Sequence, residues 1–336
     1  MVDLSIIILS FNVRELLLAC LKSIFEQTKD LTFEVIVVDN CSKDGSLEAV
    51  RKQFPQVKTI ANSFNWGFSK GNNIGMLQAH GRAVIILNSD TELRKNIFKE
   101  LYEALFSDVR LGAVGPRLIY PDGRVQHYCA RRRQSLFQTL RLYYIPFFRA
   151  PQLFLLEPLA YEGLYATQGL SGAAMMVKRE VLERVGGLDE GFWAYCEDAD
   201  WSERIAGAGY VLACLTSVDL IHYHGQGLKQ VELRRRLEAV RSEIRYFTKY
   251  GTAAGRIFYR VALSVNCILR IVTLDLIRWL GGNRQRLAVD FAVLVCVLSH
   301  HVSTEEARTQ EPLRLVGLQP AGHQKLDRLT SAPPQS

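Results

Sequence analysis

The chain has 336 residues, of which 48% are hydrophobic and 22% charged; this balance excludes a disordered or fibrous protein and favours one large globular domain with an appendage. Its seven cysteines are scattered and include no C-x-x-C pair, which argues against a disulfide framework or a zinc knuckle and indicates a reducing compartment. The formal net charge of +7 indicates an anionic partner.

The first segment, MVDLSIIILSFN, predicts a β-strand rather than an export signal. It has no basic leading region, and it carries Asp3 where a signal sequence would be apolar. We therefore expect a cytoplasmic protein.

Apolar strands alternate with amphipathic helices through the first hundred residues. The strand candidates are residues 4–9, 33–38, 57–61 and 83–87. Between the first two strands, apolar residues recur at helical spacing, namely Leu17, Cys20, Leu21 and Ile24. Asn12 is placed to cap the start of that helix. The fold class that follows is α/β, with a mostly parallel central sheet that is flanked by helices and binds ligands beyond the carboxyl ends of its strands.

Short polar residues follow three of these strands. They are Ser10 and Asn12 after the first strand, Asp39 and Asn40 after the second, and Asn88, Ser89 and Asp90 after the fourth. Helix capping would explain any one of them, but their repetition on one edge of the sheet gives a ligand site about equal weight. Asp90 would then suit Mg²⁺ or Mn²⁺, because such a cation needs only one or two protein carboxylates when phosphates complete its shell.

The segment NWGFSKGNNIG, residues 65–75, places three glycines and three asparagines just before a predicted helical stretch. Glycine lets the backbone approach a ligand closely, and asparagine amides hydrogen-bond sugars and bases. A turn with capping asparagines explains the segment equally well. The segment lacks the GxGxxG and GK[ST] patterns, which disfavours dinucleotide and ATPase sites.

From about residue 110 the pattern changes. Two extended segments flank a Pro-Asp-Gly turn, and the aromatic and basic stretch that follows them has no clear period and is interpreted as an insertion loop. The predicted elements are extended segments at 111–120 and 124–129, an insertion at about 130–165, a strand leading into a helix at 171–180, a helix at 197–209 and a closing strand at 210–224.

Three acidic residues stand at the start of the predicted helix that follows Trp193. They are Glu197, Asp198 and Asp200. Complementing the helix dipole is the common structural reason for acids at that place. An ionised carboxylate beside a cleft can instead act as a general base. The aromatic residues around these acids, Trp193 among them, are unusual for a solvated face and favour the functional interpretation.

His222 and His224 are two residues apart in the closing strand, so both would point to one side of it. Two such imidazoles could bind a metal ion or a phosphate. A pair of half-exposed strand histidines is the commoner explanation.

The last third of the chain predicts a helical extension over 226–302 and a poorly ordered tail over 303–336. In residues 256–280, four arginines fall within one sector at helical spacing, namely Arg256, Arg260, Arg270 and Arg278. Such a helix suits an anionic membrane surface, and packing on the main domain or on a second subunit explains it equally well. Its charges, like Asp290 in the later apolar stretch, argue against a bilayer span.

Seven of these segments, in this order, resemble family 2 glycosyltransferases of the GT-A fold, in particular the bacterial rhamnosyltransferase-like branch. They are SIIILSFN, VIVVDNCSKDGS, NWGFSKGNNIG, ILNSDTEL, SGAAMMVKRE, GGLDEGFWAYCEDADWSER and VDLIHYHG. The resemblance covers residues 4–225, so a catalytic domain over 1–225 is expected. It implies transfer of a sugar from a nucleotide-diphosphate donor, dTDP-rhamnose or a UDP-sugar, to a glycan or lipid-linked acceptor in cell-surface polysaccharide synthesis.

The resemblance also implies roles for individual residues. Asp198 would be the catalytic base, and Asp90 with His222 would hold the cation. The donor would be bound by Ser10, Asn12, Asp39, Asn65, Gly67, Asn88 and Ser89. The acceptor would be bound by Gly172, Ala173, Glu197 and Trp193. Gly227 stands where the family often has a hydroxyl residue, and this departure leaves the choice between His222 and His224 open.

Other functions are weighed against this one. A non-catalytic carbohydrate-binding or scaffold protein could keep the fold, although intact Asp90 and Asp198 oppose that hypothesis. A sugar-phosphate nucleotidyltransferase should carry a basic glycine-rich loop after its first strand, where this chain has SFNVRELL. Nucleic-acid binding is disfavoured, because the basic run at residues 131–133 is short and no recognition motif accompanies it. A homo-oligomer is left open.

Overall fold

The computed structural model describes residues 2–133, 135, 154–223, 232–272 and 285–299. The strands in these ranges are β1 Leu4–Ser10, β2 Phe33–Asp39, β3 Lys58–Ala61, β4 Ala83–Asn88, β5 Thr91–Glu92, β6 Leu111–Ile119, β7 Ala130–Arg131, β8 Leu164–Thr167, β9 Gly169–Leu170, β10 Ala174–Lys178 and β11 Val211–His222. The helices are α1 Arg14–Gln27, α2 Ser46–Gln53, α3 Gly67–Met76, α4 Ile97–Phe106, α5 Arg179–Val185, α6 Glu197–Gly207, α7 Glu232–Tyr250, α8 Ala253–Arg270 and α9 Gln285–Ser299.

The main sheet has the strand order β3-β2-β1-β4-β10-β6-β11-β5, and β8 pairs with β11 beside this path. β1 to β4 are parallel, as predicted, because a helix returns the chain between successive strands. β10 runs antiparallel to both of its neighbours, β4 and β6. The sheet is therefore parallel in its first half and mixed in its second.

Helices cover both faces of the sheet, which explains why its strands are almost continuously apolar. In β1, Ile6 and Ile8 belong to the core that contains α1 and α4, whereas Ile7 belongs to the core on the opposite face. The four apolar positions predicted for the inner side of α1 are all fully buried: Leu17, Cys20, Leu21 and Ile24. The period of the sequence thus identified the core correctly here.

The prediction that Asn12 caps α1 is wrong. Asn12 has a left-handed backbone with φ 52°, and its Oδ1 accepts a hydrogen bond of 2.8 Å from the backbone N–H of Lys43. At the start of α1, the N–H of Arg14 instead donates to Asp44 Oδ2 at 2.8 Å. Asn12 therefore ties the loop after β1 to the loop after β2.

The glycine-rich segment 65–75 is mostly helix, not a ligand loop before one. α3 begins inside it, and a Cβ added to Gly71 or Gly75 would collide with side chains of β1. These two glycines therefore serve close packing of α3 on the sheet. Gly67 differs, because its φ of 83° suits glycine and a Cβ there would collide with the backbone of Trp193.

The predicted turn after β6 is confirmed, with Gly123 at φ 85° and its N–H donating to the carbonyl of Tyr120. The predicted insertion at about 130–165 lies partly outside the described residues. Its described ends are not a loop, since β7 pairs with β9 and β8 begins at Leu164. The first and last residues of the predicted insertion thus belong to strands.

Helices α7, α8 and α9 pack on one another and on the segment that leads into α6. Their shared core contains Tyr246 of α7 and Tyr259 of α8 together with Phe192. Asp189, fully buried, is paired with Arg245 at 3.1 Å and with Lys249 at 2.9 Å, both from α7. The helical extension predicted from the sequence is thus held against the main sheet domain, whereas the predicted tail at 303–336 lies outside the described residues.

The outward side of α8 and α9 is apolar. Its exposed side chains are Ile257, Phe258, Val261, Val265, Ile268, Leu269, Phe291, Val295 and Leu298, which we call the outer apolar face. The arginine sector predicted for α8 is not this face: Arg256 donates to the carbonyl of Thr248, and Arg260 to that of Val297. Arg278 lies outside the described residues. No helix in the described ranges combines the length and apolar character needed to cross a bilayer.

Candidate functional site

A cleft of about 320 Å³ opens at the carboxyl edge of β1 and β4. The candidate residues that line it are Ser10, Asn65, Gly67, Asn88, Ser89, Asp90, Gly172, Ala173, Trp193, Glu197, Asp198 and His222. Among the described candidates, Asn12, Asp39 and the fully buried Asp200 do not line it. The structure therefore brings together residues that are more than two hundred positions apart in the chain.

Strand pairing explains how Asp90 and Asp198 come to line the same cleft. Because β10 lies beside β4, the N–H of Asn88 donates to the carbonyl of Ala173 at 2.9 Å. One residue earlier, the N–H of Gly172 donates to Asp198 Oδ2 at 3.0 Å. The start of α6 is thus fastened to the same edge of the sheet that carries Asp90.

Asp39 is buried and does not line the cleft. It is 5% exposed, and its Oδ2 accepts a hydrogen bond of 2.8 Å from the N–H of Ser42. Its Oδ1 and the Oγ of Ser10, its partner in the β1–β2 register, are buried and have no hydrogen-bond partner within the described ranges. Since an unsatisfied buried polar atom costs about 1–3 kcal/mol, a polar ligand group that reached these oxygens would be stabilised there.

Hydrogen bonds fix the loop before α3 and the first turn of that helix. Asn65 Oδ1 accepts from the N–H of Gly67 at 3.0 Å and from Asn40 Nδ2 at 3.2 Å. The N–H of Phe68 donates to the carbonyl of Trp193 at 2.6 Å. A backbone hydrogen bond therefore joins two residues that line the cleft, Phe68 and Trp193.

Asp90 and His222 are the candidate ligands of a cation. Asp90 Oδ1 lies 3.3 Å from His222 Nε2, and the two residues are 7% and 6% exposed. In the part of the chain that the structure describes, no group of three or more His, Cys, Asp or Glu side chains could hold a metal ion. Two protein ligands are enough for Mg²⁺ or Mn²⁺ when phosphate and water supply the others. The pair thus fits a phosphate-bound cation and not a structural metal centre. His224 lies outside the described residues.

Glu197 and Asp198 are neighbours with different surroundings. Burial and, after it, the negative charge of Asp198 raise the pKa of Glu197 to about 8, so this carboxyl is protonated at neutral pH. Its buried Oε2 has no hydrogen-bond partner among the described residues. Asp198 instead has its Oδ1 2.5 Å from Arg131 Nη2. Two adjacent carboxyls in unlike environments can take unlike roles, one donating a proton in a hydrogen bond and the other accepting one.

Two arginines of the site were missed by the sequence analysis. Arg131, which pairs with Asp198, belongs to β7 and so to the stretch interpreted as an insertion loop. Arg235, near the start of α7, lines the cleft beside Tyr195. The only signal for either was a short basic run, which an ordinary solvated surface explains as well.

Comparison with known proteins identifies relatives of this chain. A model of glycosyl transferase family 2 matches residues 5–186, more than half of the chain. An N-acetylglucosaminyl-diphospho-decaprenol L-rhamnosyltransferase of Mycobacterium tuberculosis is 29% identical over 203 residues. That match covers 56% of this chain and 66% of the relative, slightly less than two thirds of its length.

Two solved structures share the architecture. GalNAc-T7 with UDP, GalNAc and Mn²⁺ matches with a TM-score of 0.57 and 17% identity, over 74% of this chain and 48% of that one. The mannosyltransferase PcManGT from Pyrobaculum calidifontis, in complex with GDP-Man and Mn²⁺, matches with a TM-score of 0.51 and 19% identity, over 88% and 86%. At such identities the likeness establishes the fold alone, and that fold is the predicted GT-A fold.

Proposed function

This chain belongs to glycosyl transferase family 2, and from that premise we propose that it is a glycosyltransferase that moves a sugar, with inversion, from a nucleotide-diphosphate donor to a hydroxyl of a glycan or lipid-linked acceptor. One observation carries the proposal: Asp90 and Asp198 line the same cleft. A cation-binding carboxylate and a candidate base therefore share one site. Its volume of about 320 Å³ is within the range of small-molecule sites.

For the donor, the leading candidate is dTDP-rhamnose, with UDP-sugars as the alternative. The rhamnosyl choice is supported by the similarity to an L-rhamnosyltransferase, and that relative's diphospho-decaprenol substrate supports a lipid-linked acceptor. We assign donor binding to the cleft residues Ser10, Asn65, Gly67, Asn88 and Ser89, and to Asp39 through its buried, unpartnered Oδ1. Asn12, whose Oδ1 is bonded to Lys43, is left out of the assignment. We assign acceptor binding to Gly172, Ala173, Trp193 and Glu197. Cell-surface polysaccharide synthesis is the corresponding process.

The proposed chemistry is a single displacement. Asp198 takes the proton of the acceptor hydroxyl, and the oxygen attacks the anomeric carbon as the bond to the nucleoside diphosphate breaks. A divalent cation held by Asp90 and His222 would neutralise the charge that develops on the leaving diphosphate. Retention through a double displacement would require a carboxylate nucleophile at the sugar. Glu197 is a poor candidate for that role, because it is protonated at neutral pH.

The proposal is tested by thermal unfolding with a panel of nucleotide sugars, each with and without Mg²⁺ or Mn²⁺. A ligand that binds only the folded state raises the free energy of unfolding by about 2.7 kcal/mol at one hundred times its Kd. Cation-dependent stabilisation by dTDP-rhamnose is the expected result. A preference for a UDP-sugar would correct the donor, and stabilisation by no member of the panel would contradict the function and favour the scaffold hypothesis.

Arg131 is expected to position the base. Arg131→Met should lower kcat about 100-fold with little change in the KM for the donor, because a misplacement of about 1 Å can cost that much. Arg131 Nη2 touches Asp198 Oδ1 at 2.5 Å, and the carboxylate would otherwise be oriented only by backbone N–H groups. Arg131→Lys should recover part of the rate, since it keeps the charge but not the planar fork.

The matched control for this experiment is Arg132→Met. Arg132 is the next residue, is exposed, and stacks on Phe154 with 4.6 Å between the guanidinium carbon and the ring centre. Arg132→Met removes a positive charge from the same segment but leaves the contact between Arg131 and Asp198 in place, so the two effects on kcat can be told apart. Equal kcat values for the two methionine variants would remove Arg131 from the mechanism.

The outer apolar face is proposed to rest on an anionic membrane, which would place the cleft near a lipid-linked acceptor. The side chains of Phe258 and Leu269 are 59% and 53% exposed on α8. Burying a side chain of this kind contributes about 1.5–3 kcal/mol. We therefore expect Phe258→Asp/Leu269→Asp to sediment with phosphatidylglycerol vesicles about 100-fold more weakly than the wild type.

The control for membrane binding is Val109→Asp, a change at an 86% exposed valine between α4 and β6. It introduces the same charge outside the outer apolar face and should leave vesicle binding unchanged. Light scattering of the wild type and of the double variant distinguishes a membrane-bound face from a subunit interface. A dimer that the Phe258→Asp/Leu269→Asp variant dissociates, with no vesicle binding by either protein, would show that this face contacts a second subunit.

A further inference from the structure

Gln126 is buried against His222, directly after Val125, which forms an isolated bridge with Ile119. The extended segment predicted over 124–129 is thus limited to this bridge, and a turn follows it. Gln126 is 1% exposed, and both ends of its amide are engaged. Its Nε2 donates to the carbonyl of His222 at 2.7 Å and to that of Ile119 at 3.3 Å. Its Oε1 lies 2.8 Å from His222 Nδ1. Gln126 thus contacts both the backbone and the ring of His222.

The two carbonyl groups fix the orientation of this amide. Carbonyl oxygens accept hydrogen bonds and cannot donate them, so the nitrogen of Gln126 must face them and its oxygen must face the ring. In a neutral imidazole, one ring nitrogen carries the proton and the other carries a lone pair. Because Gln126 Oε1 can only accept, His222 Nδ1 carries a proton, and in the neutral ring the lone pair is therefore on Nε2.

That lone pair faces an anion. His222 Nε2 is 3.3 Å from Asp90 Oδ1, and Asn88 Nδ2, which is a donor, lies 3.2 Å from the same nitrogen. A ring nitrogen with a lone pair and a carboxylate oxygen repel each other at this distance, and a cation bound between them would remove that repulsion. A ligating histidine commonly donates its other N–H to an oxygen behind it, which sets the ring orientation and raises its basicity.

We propose that Gln126 is a positioning residue that holds His222 in the Nδ1-protonated tautomer, so that Nε2 stands ready as the second protein ligand, beside Asp90, of the divalent cation. The cation itself rests on the proposed function. The tautomer does not, because it follows from hydrogen bonds within the protein. The two can therefore be tested separately.

The tautomer is tested first, in the full chain without metal. Long-range proton–nitrogen NMR spectra of the histidine rings report which nitrogen carries the proton, and the His222 signal is identified by its loss in His222→Gln. We expect Nδ1 protonation in the wild type and in Gln126→Glu, whose protonated carboxyl can donate to the His222 carbonyl through its O–H and accept the Nδ1–H bond through its other oxygen. Gln126→Leu should show a mixture of tautomers. An Nε2-protonated ring in the wild type, or an unchanged ring in Gln126→Leu, would overturn the proposal.

Cation binding is tested second, by titrating Mn²⁺ with and without dTDP and measuring free Mn²⁺ by electron paramagnetic resonance. Gln126→Leu should bind Mn²⁺ about 10- to 100-fold more weakly, the usual cost of removing such a partner, whereas Gln126→Glu should keep most of the affinity. A general disturbance of the fold would instead weaken both variants, and that result would overturn the role of Gln126. Failure of the wild type to bind Mn²⁺ in either condition would overturn the cation site and leave the tautomer result standing.

Discussion

Asp198→Asn is expected to lower kcat by about 10²- to 10⁴-fold, the usual contribution of a general base, while donor affinity stays at the wild-type level. The loss corresponds to about 3–5 kcal/mol of activation free energy. An amide has nearly the shape of the carboxylate but cannot take the proton of the acceptor hydroxyl. Steady-state rates at saturating donor, together with thermal stabilisation by the donor, measure the two quantities independently.

Two controls make this result specific. Asp219→Asn removes a carboxylate that is also paired with an arginine, Arg117 at 2.5 Å, but Asp219 does not line the cleft and its loss should leave kcat unchanged. Glu197→Gln keeps a hydrogen-bond donor next to the base and should raise the KM for the acceptor more than it lowers kcat. Wild-type turnover by Asp198→Asn, with turnover lost in Glu197→Gln, would transfer the role of base to Glu197.

Asp90→Ala is expected to abolish the cation-dependent part of donor binding. In the wild type, donor at one hundred times its Kd should stabilise the fold by about 2.7 kcal/mol, and most of this should disappear when the carboxylate is lost. The reason is that His222 alone would remain as a protein ligand, and Mg²⁺ and Mn²⁺ prefer oxygen. Thermal unfolding with and without Mn²⁺, at fixed donor concentration, gives the comparison.

Glu92→Ala is the matched control for Asp90→Ala. Glu92 lies two residues further on and is bonded to the hydroxyl of Tyr223 at 2.5 Å, and it is not part of the cleft lining. Its loss removes one nearby acid and its contacts with Tyr223 and Arg94, and cation-dependent stabilisation should persist. Equal stabilisation of Asp90→Ala and the wild type would mean that the donor binds without a cation at this position.

The sequence by itself determined the first half of the fold and much of the site. Apolar runs that end in polar residues predicted β1, β2 and β4 and the edge where a ligand would bind, because parallel strands must end on the same side. The order of the motifs identified the family, and the family model confirms it. Candidate residues from Ser10 to His222 do line one cleft. They could be predicted because each lies in a short motif that is recognisable without knowledge of the tertiary structure.

Such patterns could not predict which groups a side chain contacts in the folded protein. The period of the glycine-rich segment cannot distinguish a glycine that meets a ligand from one that meets β1, and Gly71 and Gly75 meet β1. Likewise, Asn12 has the composition of a helix cap but bonds to the neighbouring loop instead. In both cases the outcome depends on what lies opposite the residue in space.

Only the tertiary structure decided which residues stand behind the acids and the histidine. Arg131 reaches Asp198 because β7 pairs with β9, which ends two residues before Gly172, and Gln126 reaches His222 across 96 positions of sequence. Neither residue lies in a motif. Each position is set by strands that pair after long excursions of the chain, and such pairing is fixed by the packing of the whole sheet rather than by any local period.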